Sequence, residues 1–266
     1  MPSPRIRVLS RPVASEFPSE WYGLATAEHF WMAWRVAAFV RQLRALGVDV
    51  GVPLHVLEVG CGNGVLRRQL ERATRWTTDG TDLNTTALEQ SVATRGETLF
   101  YDVHDRLPAF ADRWDAIVLF DVLEHVHEPG PFLDSVLFHL KPGGWLFVNV
   151  PALEALRSAY DRATGHLRRY DRPTMRATLA PHGLVVRDLR YWGLTLVPVL
   201  LARTVWTATR DGTGDVIRSG FEPPAAWMNR ALLQLMRCET AVVRRPPMGT
   251  SLLAAAQKPA ATTASA

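Results

Sequence analysis

The chain has 266 residues, 47% of them hydrophobic and 21% charged, with a formal net charge of +4. That length buries a full core as one domain with an appended lobe. Arginine carries nearly all the positive charge (Lys141 and Lys258 are the only lysines) and is interleaved with acids; without a recognition motif this excludes a nucleic-acid groove.

The opening stretch, MPSPRIRVLSRPVASEFPSEW, lacks an apolar run of signal-peptide length, and Cys61 and Cys238 have no metal-type spacing. A reducing cytoplasm is therefore expected. Residues 27–47, AEHFWMAWRVAAFVRQLRALG, repeat apolar side chains at helical spacing and stop at Gly47, which predicts an amphipathic cap helix. HVLEV then predicts a buried strand, GVLRRQLERA a helix, WTTDGTD a second strand and NTTALEQSVATR a helix. ETLFYD and WDAIVLF predict two more strands, GPFLDSVLFHL a helix and GGWLFVNV a fifth strand. HGLVVRDLRYW and GTSLLAAAQKP complete the set as an antiparallel pair at one edge. The alternation predicts an α/β fold with a Rossmann-like, doubly wound, seven-stranded and mostly parallel sheet.

The expected organisation is an N-terminal segment and cap helix over 1–50, a ligand-binding core over 51–192 and a helical insertion over 193–249. A last strand over 250–258 and a disordered tail over 259–266 follow. Within the insertion, residues 191–208 approach the length of a membrane span but contain Pro198 and Arg203, so no transmembrane segment is expected. Residues 225–245 are amphipathic, with Trp227, Leu232, Leu235 and Met236 broadly on one side. With Phe30, Trp31 and Trp34, these helices form a lid, a homodimer interface, a membrane-surface contact or extra core, and the pattern alone leaves all four open.

Residues 56–64, VLEVGCGNG, run from a strand into Gly60, Gly62 and Gly64. In such a sheet a ligand sits outside the carboxyl ends of the strands, where glycines let the backbone approach it and helix N-terminal amides face it. A dinucleotide fingerprint would need glycine at position 65, which is Val65, and Glu58 would repel a pyrophosphate. Asp82 ends the second strand at the distance where an acid meets ribose hydroxyls, and Asp102 ends the third. The ligand expected from this pattern has a ribose, a positive group and an adenine-like base.

The chain resembles the class I S-adenosylmethionine-dependent methyltransferases over residues 54–150, through LEVGCGNG, TDLN, YDVHDRLP, FDVLEHVHEP and LKPGGWLFVNVP in order. The resemblance implies S-adenosyl-L-methionine as cofactor, with Gly60, Gly62 and Gly64 beside the methionine part and Glu58 orienting amides and the amino group. It further implies Asp82 and Leu83 at the ribose, Asp102 and Val103 at the adenine, and Phe120 and Asp121 beside the sulfonium. Local alternatives stand beside these roles: Glu58 as a helix cap, Asp82 as a turn residue, Asp105 in place of Asp102, and Cys61 as plain core.

The acceptor side rests on GHLRRY. His166 is the candidate base, and Arg168, Arg169 and Tyr170, with His125, are candidate substrate-binding residues. The alternative is a structural turn whose arginines pair with Asp161 or Asp171. Asp121, Glu124 and His125 could support magnesium, as a similar segment does in some quinone-precursor methyltransferases, but no zinc pattern exists and no metal is expected. The functional expectation is methyl transfer to a small organic acceptor, oxygen favoured over nitrogen or carbon; the alternative is a non-catalytic protein that binds the cofactor or a partner.

Overall fold

The computed structural model describes residues 5–11, 26–27, 29–91, 94–207 and 225–260. Of the tail expected to be disordered, residues 261–266 lie outside this set. Strands β1 (Ile6–Val8), β2 (His55–Val59), β3 (Thr77–Asp82), β4 (Thr98–Phe100), β5 (Trp114–Phe120), β6 (Leu140–Pro151), β7 (Val185–Trp192) and β8 (Ser251–Gln257) form one sheet in the order β1-β4-β3-β2-β5-β6-β8-β7. Neighbours from β1 to β6 are parallel, whereas β8 runs antiparallel to both β6 and β7. The sheet has eight strands and not seven because Ile6–Val8 pairs with Thr98–Phe100. That three-residue run is too short to show a period of its own.

The central strands are apolar on both faces, as a parallel sheet covered by helices requires. Leu57, Ile117 and Leu119 point into one core, and Val56, Val118 and Phe120 into the other. Helix α1 (Phe30–Ala45) covers the second face; its Phe39 is fully buried, with ring centroids 5.1 Å from Phe120 and 5.0 Å from Phe147. His29 Nδ1 accepts the Trp31 N–H at its start, and Gly47, at φ +73°, turns the chain out after its end. Helix α2 (Val65–Ala73) follows the glycine loop, and α3 (Thr85–Glu89) follows β3. The helix expected over 84–95 ends at Glu89 in α3; farther on, Arg67, fully buried, donates to Thr94 Oγ1 and Gly96 O.

Helix α4 (Pro129–His139) covers the first face, and α5 (Ala159–Ala163) and α6 (Arg172–Leu179) follow β6. Between β7 and β8, α7 (Val197–Thr207) and α8 (Ala226–Val242) flank residues 208–224, which lie outside the described set. No described helix is long and apolar enough to cross a membrane. The strand order reverses between β2 and β5, so the crevice at this switch point lies between the loops after those two strands.

Candidate active site

The loop after β2 is built for close approach. Gly60, Gly62 and Gly64 have φ of 74°, 51° and 75°, and a Cβ on Gly60 would lie 2.6 Å from Val122 Cγ2 in the loop after β5. Thr81 O accepts the N–H groups of Gly60 at 2.8 Å and Cys61 at 3.0 Å, which ties this loop to the end of β3. There Asp82 Oδ2 accepts the Gly62 N–H at 2.7 Å, and Oδ1 the Asn84 N–H at 2.8 Å. Burial raises the Asp82 pKa, and the N–H groups of Asn84, Gly62 and Leu83 only partly oppose it. Asp82 thus organises the glycine loop. Cys61 is buried, its thiol pushed well up by burial, as a packing residue would be.

Glu58 is 3% exposed and its Oε2 has no hydrogen-bond partner among the described residues. Burial lifts its pKa to about 8 against the opposing charges of Arg35 and Arg67. The carboxyl is therefore mainly neutral at pH 7, and a cationic or N–H-bearing ligand group would draw it into its charged form.

After β4, Asp102 Oδ1 accepts the His104 N–H at 2.9 Å, while Ser10 donates to Asp105 Oδ2 at 2.5 Å. Asp105 is thereby committed to the N-terminal segment. Val103 is buried, and Leu83 packs beside Cys61 and Phe100.

The loop after β5 is anchored by a network that the sequence pattern did not disclose. Asp121 has φ +58°, an uncommon conformation outside glycine, and its carboxylate accepts from Arg35 Nη1 and, at 2.6 Å, from Asn149 Nδ2. Trp192 Nε1 donates to Asn149 Oδ1 at 2.9 Å, and the Arg35 guanidinium lies 5.5 Å from the Phe120 ring centroid. Phe120 is 3% exposed within the α1 core, so it supports the crevice from beneath. The one available signal was Arg35 itself, a lone arginine inside an aromatic helix face.

Next to this loop lie Glu124, His125 and His166, whose ligand-type atoms all fall within 4.8 Å of one another. Glu124 is fully buried, neither oxygen has a hydrogen-bond partner among the described residues, and burial and Asp121 push its pKa well up. Burial and His166 lower the His125 pKa to about 4, which keeps its imidazole neutral. His166 Nδ1 meets Asp161 Oδ1 at 2.8 Å, so Nε2 is the nitrogen left to face a substrate or an ion. Burial would raise the Asp161 pKa, but the His166 hydrogen bond and Arg169 outweigh it and hold the carboxyl well below the usual range. A carboxylate with two imidazoles suits a divalent transition ion better than magnesium, because nitrogen donors favour the former. Asp121 is turned to Arg35 and Asn149, so the trio differs from the Asp121, Glu124 and His125 set considered from sequence.

The GHLRRY segment is largely a structural turn. Arg169 donates to Asp161 at 2.8 and 3.1 Å and to Ala152 O at 2.9 Å, with its side chain 7% exposed. It is not the expected acceptor clamp, because Asp161 and the backbone consume its donors. Tyr170 is 2% exposed and bridges to Ala152, so it too is core and not an acceptor contact. Arg168 donates to His127 O at 2.9 Å from a half-buried position. Ser158 and Asp161 form a capping box on α5, the local feature that brings Asp161 under His166.

A family model described as a methyltransferase domain matches residues 24–189. The chain belongs to this methyltransferase domain family. The methyltransferase domain is 31% identical over 117 residues to the ubiquinone biosynthesis O-methyltransferase of Thiobacillus denitrificans, covering 41% of this chain and 50% of that protein. It is 28% identical over 155 residues to the corresponding protein of Paracidovorax citrulli, covering 52% and 64%. The chain thus spans about half to two thirds of the length of these curated relatives. Among solved structures, the [4+2]-cyclase SpnF is similar at a TM-score of 0.56 and 20% identity, covering 86% of this chain and 82% of that one. Phosphoethanolamine N-methyltransferase 2 of Haemonchus contortus, in complex with S-adenosyl-L-methionine, is similar at 0.52 and 16%, covering 82% and 51%. At these identities the likeness shows the fold.

S-adenosyl-L-methionine is the cofactor of such a methyltransferase domain, and the residues present fit it. The unpartnered Glu58 Oε2, the Asp82 carboxylate at the strand end and the side-chain-free approach at Gly60 match a cationic nucleoside without phosphates.

Proposed function

We propose that the chain transfers a methyl group from S-adenosyl-L-methionine to a hydroxyl oxygen of a small organic acceptor. The supporting observation is the Asp161–His166 pair, which engages Nδ1 and leaves Nε2 of an imidazole that clusters with Glu124 and His125 beside the loop that starts against Gly60. Names of relatives as O-methyltransferases favour oxygen over nitrogen or carbon.

When bound, the cofactor supplies a methyl group on a positively charged sulfur, already activated for in-line displacement. Glu58, the glycine loop, Asp82 and Leu83, and Asp102 with Val103 hold its methionine, ribose and adenine parts respectively. His166 Nε2 takes the proton from the acceptor hydroxyl, and Asp161 steadies the imidazolium through Nδ1–H. Glu124, His125 and His166 would alternatively hold a divalent cation, which lowers the pKa of a bound hydroxyl. In that case those three residues fix the acceptor oxygen, and Asp161 orients one ligand.

The same reading takes residues 51–192 as the cofactor-binding core, with 193–249 shaping the acceptor side, in a cytoplasmic protein whose Cys61 and Cys238 are free. The test is label transfer from methyl-labelled cofactor to phenolic and amine acceptors. Labelled ether with a phenol, lost in His166→Ala, supports the proposal; label on amines alone, or cofactor binding with no turnover on any acceptor, refutes it.

A further inference from the structure

Helix α8 is tied to the body of the molecule along one face. Met236 and Leu232 pack against the α1 core, Asn229 Oδ1 accepts the Phe30 N–H at 2.9 Å, and Thr240 Oγ1 accepts from Trp34 Nε1 at 2.9 Å. Glu239, the helix's only acid, is buried, and its carboxylate accepts the N–H groups of Gly193, Leu194 and Thr195.

The outward face is unlike an ordinary solvated helix. Trp227, Met228, Leu235 and Val242 are 69%, 40%, 45% and 79% exposed and fall within one arc at helical spacing. Arg230 and Arg237, seven residues apart, run along the flank of that arc, Arg244 follows just past the helix end, and α8 itself carries no outward-facing carboxylate. Arg244 also joins Arg41 and Arg190 around a cavity of about 30 Å³ lined by Tyr191 and Trp192. Burial, then Arg190 and Arg244, push the Arg41 pKa down, although Asp188 pairs with Arg190 at 2.6 Å. The guanidiniums crowd one opening and face outward acids nowhere along α8.

We propose that this face of α8 docks on an anionic lipid bilayer, with Trp227, Leu235 and Val242 entering the interface and the arginine stripe meeting lipid phosphates. An apolar arc with a cationic flank is the pattern of a helix lying in the plane of a membrane surface, and tryptophan suits the boundary. Guanidinium forks match phosphate oxygens. A second copy is the poorer occupant, since an isologous contact would set the arginine stripe against its own equivalent. An acidic protein would need a shaped recess, whereas a bilayer accepts a projecting helix. Because α8 rests on α1, and α1 carries Arg35 to Asp121, the acceptor this arrangement suits is an amphiphile held in the bilayer. That last step rests on the methyl-transfer reading; the docking itself does not.

Flotation of the full chain with vesicles of phosphatidylcholine, with and without phosphatidylglycerol, tests the docking. The chain floats with the anionic vesicles at low salt and is released as salt rises. Arg230→Gln and Arg237→Gln each lower partitioning about 5-fold, the factor equal to ~1 kcal/mol per charge near an anionic surface. Leu235→Glu with Val242→Glu abolishes flotation while cofactor affinity and Tm stay unchanged. The docking is overturned by a wild-type chain that ignores phosphatidylglycerol vesicles, or by a double variant that floats undiminished. A dimer that the double substitution splits, seen by light scattering, overturns it equally. Loss of methyl transfer with flotation intact would sink the catalytic reading alone.

Discussion

His166 Nδ1 and Asp161 Oδ1 stand 2.8 Å apart, and the aspartate is fully buried between that imidazole and Arg169. This bond engages Nδ1 and leaves Nε2 as the nitrogen for a substrate proton. His166→Ala is expected to lower kcat about 100-fold, a typical contribution of a positioned base, with cofactor affinity unchanged. Steady-state kinetics with calorimetry checks this; equal loss in cofactor binding would make His166 merely structural.

Glu124 with both oxygens unpartnered, near two imidazoles, predicts a response to divalent ions. Zinc, cobalt or manganese is expected to raise Tm in wild type and not in Glu124→Gln, and chelation to reverse the rise. Differential scanning fluorimetry reads this without any acceptor. Equal shifts in both proteins would place the ion elsewhere.

Glu58 makes cofactor binding pH-dependent. Its pKa in the folded, ligand-free protein is about 8, so below that pH a proton must leave before the carboxylate can meet a cationic amino group. Affinity is therefore expected to rise with pH, by up to about tenfold per unit, and to level off above about 8. The same raised pKa acts oppositely on folding: its contribution to stability is full below the unfolded carboxylate pKa and is lost as pH rises through the folded value. Calorimetry in buffers of different ionisation enthalpy should record proton release on binding, and Glu58→Gln should remove it.

Much of this was legible in the chain itself. HVLEV and WDAIVLF are buried on both sheet faces, so apolar residues at consecutive positions, Val56 with Leu57 and Ala116 through Phe120, identify them as central strands. Gly60, Glu58 and Asp82 were legible because a close backbone turn and an acid at a strand end need particular residues. For Arg169 the sequence left two readings open, acceptor clamp or partner of Asp161, and only the α5 capping box that brings Asp161 beneath it decides for the second; the burial of Tyr170 was not legible. The three-residue β1 and the Arg35–Asp121 contact depend on pairing across the fold, which local periodicity does not encode.

Gly60→Ala tests the crevice wall. Its Cβ would meet Val122 Cγ2 at 2.6 Å while the backbone keeps φ +74°, so a loss of about 1–3 kcal/mol in stability is expected. Denaturant titration measures it, and cofactor affinity should fall as well. An alanine variant as stable as wild type would mean that Val122 swings aside and that the loops are not in register.

The most direct test of the account is calorimetry with S-adenosylhomocysteine on wild type and Asp82→Ala, each first shown to be folded by its Tm. Wild type is expected to bind, and the variant to bind at least about tenfold more weakly, as loss of a hydrogen bond to a charged group implies. No binding by folded wild type, or equal affinity in the two proteins, would contradict the assigned cofactor site.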